Sequence, residues 1–599
     1  MSWENNSGVG IKIAIIDSGI NINRSEFKNA TIIKYNNKSI DTIGHGTAVA
    51  SIIHKLVPEA ELFDVQLFSI ENEISTQDLV SLLIDIYEHQ YFDIIHLSSG
   101  VVSGDISALY NICKRINEAG SFIVSAFDNE GKISYPAAFD FVIGVDWSER
   151  CSIGKQYIYV ENSPVNILSI GSLQKLPWKD EEYKYVAGSS FAAPYITSMI
   201  AKIICTGIKD YKAVLQELKR ASWKKIIYME EQKSKSNDFS IRKAIIYPFN
   251  KEIHSLFRFC RTLSFDIAGI YEPILCRKVG AKVSKLLDMQ DNNQIIQSER
   301  NINWGDDFDT VILGHVGIIA SSLNRDIINE FLEKCILYKK NIYAFDNLSN
   351  YSDKVNILRN MGLFAYYPNV SKNDVPYNLM GKLYGISTPV VAVFGTSPKQ
   401  GKFSLQIALR DQFRKLGYSV GNIGSEPSSL LFGFDDVYPM GYESSIDISG
   451  SDAIVKLNQM MHDIDIKGKD IIFVGSQSQT VPYNYGNIGL YPIAQHEFFV
   501  GTDPDAVVLC INPYDDIEYI QRTINYLSNY MESKVIALSL FPLHRDLEWA
   551  VVGKNATPLT REEIYNKKTY FEDNLHLPCF ILGDEEELLK LVNVIIDFF

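Results

Sequence analysis

The sequence has no apolar run near the roughly 18 residues needed to span a bilayer. Its longest are short, and Ile200–Cys205 is interrupted by a lysine. The polar start Met-Ser-Trp-Glu-Asn-Asn-Ser argues against a signal peptide, so no membrane partner is expected. There is no C-x-x-C pair among the eight cysteines at 113, 151, 205, 260, 276, 335, 510 and 579. That is the usage of a reduced compartment, where Cys acts as a small buried hydrophobe. Basic residues are unclustered and outnumbered, 57 against 72 acidic, for a net charge of −15, which argues against nucleic acid as a partner. Glycine (37) and proline (20) are not in excess, which excludes collagen-like, low-complexity and disordered classes. What remains is 599 residues, 46% apolar and 22% charged, too long for one core. A soluble, cytoplasmic, multi-domain protein is expected.

The pattern along the chain is α/β, with three α/β domains in series. Ile11–Ile16, Phe92–Leu97 and Ser121–Ala126 are continuous apolar runs, as in parallel strands buried on both faces. Gln77–Tyr87, Ile106–Ala119 and Ala213–Ser222 have helical spacing. The polar stretch MEEQKSKSNDFS marks a linker over residues 229–240, which ends a first domain at residue 228. Strands at Lys243–Tyr247, Thr310–Leu313 and Asn341–Phe345, with a helix at Ile327–Leu337, suggest a Rossmann- or flavodoxin-like layer over 241–387. A third domain over 388–599 opens on the strand Pro389–Phe394 and ends on the helix Glu585–Phe599.

Four segments of the first domain bring together the residue types of nucleophilic catalysis. AIIDSG puts Asp17 at the end of a buried strand, and GHGTAVASII puts His45 between glycines at a helix start. GSSFAAP puts Ser190 at another helix start, with Pro194 expected in its first turn, and SAFDNEG puts Asn129 past a strand end. A serine hydroxyl becomes a nucleophile when an imidazole takes its proton, and the imidazole needs a carboxylate to hold its tautomer. A side-chain amide donates to the oxyanion, and a helix start aims its N–H groups there. Singly, Asp17 reads as a turn former, His45 as a helix-start residue and Ser190 as an N-cap.

Together and in this order, they resemble the subtilisin family of serine peptidases. AIIDSG, GHGTAVA and GSSFAAP are similar to its Asp, His and Ser motifs, DIIHLSSG to its substrate-flanking strand, and DNEG to its oxyanion segment. The resemblance implies Asp17 as orienter, His45 as general base and then acid, Ser190 as nucleophile and Asn129 as oxyanion donor. It also implies that Ser98, Ser99 and Gly100 pair with the substrate backbone, with no cofactor for that chemistry. The chain departs from the family at Phe191, where methionine is usual, and at Phe127-Asp128, where small residues are usual. An anionic Asp128 is expected to narrow or weaken the oxyanion pocket. About ten residues precede the first strand, so the inhibitory propeptide of secreted relatives is expected to be absent, and restraint to come from elsewhere.

VVAVFGTSPKQGKFS reads as strand, loop and helix, the last over Lys402–Leu416. A Walker A loop is G-x-x-x-x-G-K-[ST]. Here five residues separate Gly395 from Gly401, and the hydroxyl falls one place late, at Ser404. Gly395, Thr396, Gly401, Lys402, Phe403 and Ser404 are the expected nucleotide-binding residues: backbone N–H groups cradle phosphate, Lys402 supplies charge and Ser404 reaches Mg²⁺. The bland alternative is a βα turn with an exposed lysine. The segment resembles the variant phosphate loop of a family that includes D-glutamate N-acetyltransferases. SQSQTVPYNYGNIGLYPIAQ with DPDAVVLC is similar to that family's later segment. Ser397 stands where the family has Asp, and Val474 where it has Glu; Glu426 and Asp435 are the candidate substitutes. His96, His315 and His496 lack spaced His, Cys or Glu partners, so no metal site is expected. The stripe Leu405–Leu409–Phe413 reads as core packing.

The expected activity is a cytoplasmic endopeptidase that processes a peptide or precursor peptide, with ribosomal peptide maturation fitting the combination. A phosphate-loop module would gate or assist it, taking ATP or another nucleotide with Mg²⁺, or an acyl-CoA-like ligand. One rival has the second half as the main catalyst, transferring an acyl or phosphoryl group. Another is a nucleotide-sensing scaffold. A homo-oligomer is compatible with the sequence.

Overall fold

The computed structural model describes residues 3–36, 41–67, 75–152, 156–228, 239–287, 289, 292–376, 379–441, 443–544 and 557–599. The chain divides into two compact units: residues 1–232 with 376–387, and residues 233–375 with 388–599. Most of the expected linker, 229–238, lies outside the described residues. Phe239, at its end, instead packs on Tyr343, Phe364 and Tyr366 as part of the second unit.

The first unit is built on a nine-stranded sheet. Its strands are β1 (Lys12–Asp17), β2 (Thr31–Lys34), β3 (Glu61–Gln66), β4 (Ile94–Leu97), β5 (Phe122–Ala126), β7 (Ile143–Trp147), β8 (Ile158–Glu161), β9 (Ile167–Ser169) and β12 (Lys224–Ile227). Outside it lie the short β6 (Lys132–Ile133) and the hairpin of β10 (Gln174–Pro177) and β11 (Tyr183–Val186). The spatial order is β12-β8-β9-β7-β5-β4-β1-β3-β2, parallel except between β8 and β9. Helices α1 (His45–Leu56), α2 (Thr76–His89), α3 (Ile106–Glu118), α4 (Ser189–Ile204) and α5 (Tyr211–Ala221) connect the strands. The chain runs from β1 outward to β3 and then returns to β4 on the other side of β1. The crevice at the carboxyl ends of β1 and β4 is therefore a switch point of the kind where sites form in parallel sheets. The register Ile16↔Leu97 sets Ser98 level with Asp17.

The segment 376–387, expected to close the second domain, belongs to the first unit. The reason is local: Leu383–Tyr384 pairs in parallel with β6.

Besides a two-stranded antiparallel pair, Leu543–His544 with Thr557–Pro558, the second unit holds two larger sheets, each parallel throughout. One has six strands, in the order Gln297–Ser298, Asp266–Glu272, Lys243–Tyr247, Thr310–Leu313, Asn341–Ala344, Ala365–Tyr366. The other has seven, in the order Asp436–Val437, Val420–Gly424, Ile471–Gly475, Val390–Gly395, Ala506–Ile511, Lys534–Leu540, Cys579–Ile581. Val390–Gly395 is central, and the chain fills one side of it before the other, which puts a second switch point at Gly395. Among the described residues no helix is long and apolar enough to cross a membrane.

Candidate active site and phosphate loop

Asp17 ends β1 fully buried, and one of its carboxylate oxygens accepts the Ser18 amide at 2.7 Å. His45 opens α1, with Nδ1 at 2.8 and 3.0 Å from the two Asp17 oxygens. Nδ1 donating to Asp17 leaves Nε2 as the proton acceptor. The helix can start this close to β1 because residue 46 is glycine. A Cβ there would stand 2.3 Å from the Gly19 carbonyl oxygen.

Sequence reasoning missed Asp41, which is buried and organises the turn into α1. Its carboxylate accepts from the Ile43 and Gly44 amides (3.0 and 2.7 Å), the Thr47 amide and hydroxyl (3.1 and 2.6 Å) and the Ser18 hydroxyl (2.9 Å). The available signal was a carboxylate four residues before His45. Burial opposes a charge on His45, but the Asp17 charge and hydrogen bond, aided by the Asp41 charge, raise its pKa above the ordinary value. Burial likewise opposes ionisation of Asp17, yet His45 and the Ser18 and Ser98 hydrogen bonds hold its pKa below the usual range.

Ser190 lies in the first turn of α4, and its hydroxyl donates to the Ser98 carbonyl at 2.8 Å. The imidazole of His45 packs on aromatic rings, 5.0 Å from Phe191, the residue after Ser190, and 6.3 Å from Trp178, centroid to centroid. Phe191 thus acts as a wall for the histidine. Pro194 is the sixth residue of α4, past the first turn expected for it. The Asn129 oxygen accepts the Ser189 amide at 2.9 Å, which leaves the amide nitrogen as its donor. Asp128 turns its carboxylate onto the Glu130 amide at 2.8 Å. Past β4, Val101 bridges antiparallel to Tyr135, flanking Ser98–Gly100.

His96 is fully buried, bonded through Nδ1 to the Thr197 hydroxyl (2.7 Å) and through Nε2 to Ser98 Oγ (3.0 Å). Burial pulls its pKa down to about 4, so it is a neutral support beneath Ser98.

In the second unit, Gly395 ends its strand and Gly401, at φ 76°, caps the helix Lys402–Lys415. Lys402 is buried and its ammonium donates to the Ser397 carbonyl of the loop at 2.7 Å. It is not the exposed lysine of a plain turn. Thr396 is bonded to Asp515, and Gln400 donates to the Thr396 hydroxyl at 2.6 Å. Asn512 donates to Ser397 Oγ at 2.8 Å. Gln400, Asn512 and Asp515 went unnoticed in the sequence because two of them lie on a neighbouring strand's exit. The Phe403 ring packs on Phe432 and Phe434 as core, so only its backbone faces the helix start. Ser404 sits in the helix's first turn.

Val474 is buried within its strand. Of the two candidate substitutes, Asp435 is taken up by the Asn422 amide (3.0 Å) and Lys469 (3.7 Å). Glu426 follows the end of Val420–Gly424 and accepts from Gln477 at 2.5 Å, with burial raising its pKa. The cradle and lysine suit a phosphate. His315, expected to lack partners, has Asp346 at 2.6 Å and Glu443 at 3.7 Å. Those partners lie far away in sequence, so spacing could not reveal them. His496 is bonded to Tyr526 at 2.5 Å.

A buried Asp–His pair and a helix-start serine at the carboxyl edge of a parallel sheet are the residue types from which serine-hydrolase sites are built. The particular families are these. Residues 8–234 match the subtilase family, and residues 378–588 match the P-loop domain of a family of unknown function, DUF1611. The major intracellular serine protease of Bacillus subtilis is 28% identical over 239 residues, covering 35% of this chain and 73% of that protein. The subtilisin of Bacillus sp. strain TA39 is 24% identical, covering 33% of this chain and 58% of its own length. Among solved structures, the prenylagaramide maturation protease PagA is similar at 22% identity and TM-score 0.29, covering 35% of this chain and 81% of its own. A DUF1611 family protein from Anabaena variabilis covers 60% of this chain and 100% of its own, at 12% identity and TM-score 0.45.

Proposed function

We propose that the first unit is a serine endopeptidase that cleaves a peptide or precursor peptide. The observation that carries this reading is the bonded Asp17–His45 pair, whose imidazole packs on Phe191 next to Ser190, with the Asn129 oxygen fixed on the Ser189 amide so that its nitrogen is the donor. The Ser190 hydroxyl swings from the Ser98 carbonyl to His45 Nε2, gives up its proton and attacks the scissile carbonyl carbon. The oxyanion takes hydrogen bonds from Asn129 Nδ2 and the Ser190 amide. His45 then hands its proton to the leaving amine, and water repeats the sequence to release the acyl group. Ser98–Gly100 offers its backbone edge to the substrate. A processing step, as in ribosomal peptide maturation, fits a peptidase joined to a large second module.

The second unit serves this activity by binding a phosphate-bearing ligand, ATP or another nucleotide or an acyl-CoA, at Gly395–Ser404. The cradle and Lys402 support binding, and the missing carboxylate at Val474 favours binding over turnover. Labelling of Ser190 by a fluorophosphonate, located by mass mapping and abolished in Ser190→Ala, tests the peptidase reading. Product formation that survives Ser190→Ala but is lost in Lys402→Ala would favour acyl or phosphoryl transfer instead.

A further inference from the structure

The peptidase unit contains a segment from far along the sequence, and the segment grips the loop that carries Asn129. Lys382 is buried, with its ammonium 3.0 Å from Asp146 at the end of β7. The side chains are 8% and 15% exposed. A lysine is buried this deeply only when it is paired and bonded. The same ammonium lies 3.4 Å from the Asp128 carbonyl oxygen and 5.5 Å from the Phe127 ring centroid. It therefore holds the amino-terminal side of the turn bearing Asn129.

The next two residues, Leu383–Tyr384, pair with Lys132–Ile133 on the other side of that turn. Ser134 closes the frame by accepting the Asp128 amide at 2.8 Å. Gly385 passes so near the Val102 carbonyl oxygen that a Cβ would stand 2.8 Å from it, two residues past Gly100. Asn129 thus sits between two anchors supplied by one segment. That segment leaves the second unit after Val375 and rejoins it at Thr388, just ahead of the phosphate-loop strand.

We propose that Lys382 is a positioning residue for the oxyanion donor: by clamping Phe127–Asp128, it sets where the Asn129 amide points. The inference rests on the peptidase reading above. Peptidase competence then depends on the far half of the chain, since the clamp is seated only when the segment docks. A misplacement of about 1 Å in such a donor can cost about 100-fold in rate.

The test uses the full chain and a biotinylated fluorophosphonate, whose adduct at Ser190 carries the same oxygen into the oxyanion pocket. Lys382→Met should lower the maximal labelling rate by about 10-fold or more and change the half-saturating probe concentration little. Lys382→Arg, which keeps the charge, should recover most of the rate. Because Lys382→Met leaves Asp146 unpaired, the D146N/K382M variant is measured alongside, with thermal unfolding, to separate loss of position from loss of fold. On an Asn129→Ala background, Lys382→Met should add almost nothing, since the group it positions is gone. Labelling within twofold of the parent in both Lys382→Met and D146N/K382M, while Asn129→Ala is slow, would overturn the proposal. So would losses that multiply across Asn129 and Lys382. If the parent chain is not labelled at Ser190 at all, the peptidase reading itself falls and takes the clamp with it.

Discussion

Asp41 and Thr47 are joined twice across the entry to α1: the Asp41 carboxylate accepts both the amide and the hydroxyl of Thr47, at 3.1 and 2.6 Å. With three further donors on that carboxylate, the bend that presents His45 to Asp17 is a hydrogen-bonded frame, not a free loop. Asp41→Ala should strand those donors and cost on the order of 2–4 kcal/mol of stability. Chemical denaturation checks this, and an unchanged midpoint would show that the frame is not needed.

Ser190→Ala and His45→Ala should each lower peptide cleavage by several orders of magnitude, and the double variant should be no worse than either. Groups that act as one unit behave in this way. Independent, multiplying losses in a cleavage assay would show that the two residues do not share a mechanism.

The pH profile has a definite sign. Cleavage needs neutral His45, and Asp17 with Asp41 raises its pKa above the ordinary value, so the acid limb should lie above the usual histidine midpoint of about 6.5. Asp41→Asn removes one of the charges responsible and should move the limb down. The stability linkage follows the same direction: the charged His45–Asp17 pair stabilises the fold below the ordinary histidine range. That contribution fades as pH rises through the raised value. A limb below pH 6 in the parent chain, with chemistry limiting the rate, would contradict this assignment.

A ligand at the phosphate loop should alter peptidase activity without needing to be hydrolysed. Lys402→Ala should weaken nucleotide binding at least tenfold by calorimetry and remove the response, while Ser190 stays reactive to a small phosphonate. Coupling between two sites is typically worth about 1–3 kcal/mol, or roughly 5–150-fold. Identical cleavage rates with and without bound ATP, GTP or acyl-CoA would show that the two halves are merely tethered.

Much of this architecture is written locally. Short apolar runs bounded by turn residues favour interior parallel strands, and Lys243–Tyr247 and Thr310–Leu313 match their sequence-based bounds. Asp17, His45, Ser190 and Asn129 announce themselves because each sits at a strand end or helix start whose glycines and small residues have a local backbone reason. The loop Gly395–Ser404 is legible for the same reason. What the chain order could not convey is contact between distant residues. Asp41 looks like any acidic turn residue until five donors converge on it. Glu426 stands out from Asp435 only once the strand order brings Gln477 to it, and His315 gains its carboxylates only through folding. Lys382 is the clearest case. In sequence it is one lysine ahead of a strand, and nothing in its neighbourhood points to Asp146, which lies 236 positions earlier. Side-chain chemistry and short-range backbone preference reside in the sequence. Pairing of buried charges across that separation exists only after the sheets are assembled, because the free energy of closing the loop is recovered only in the folded chain.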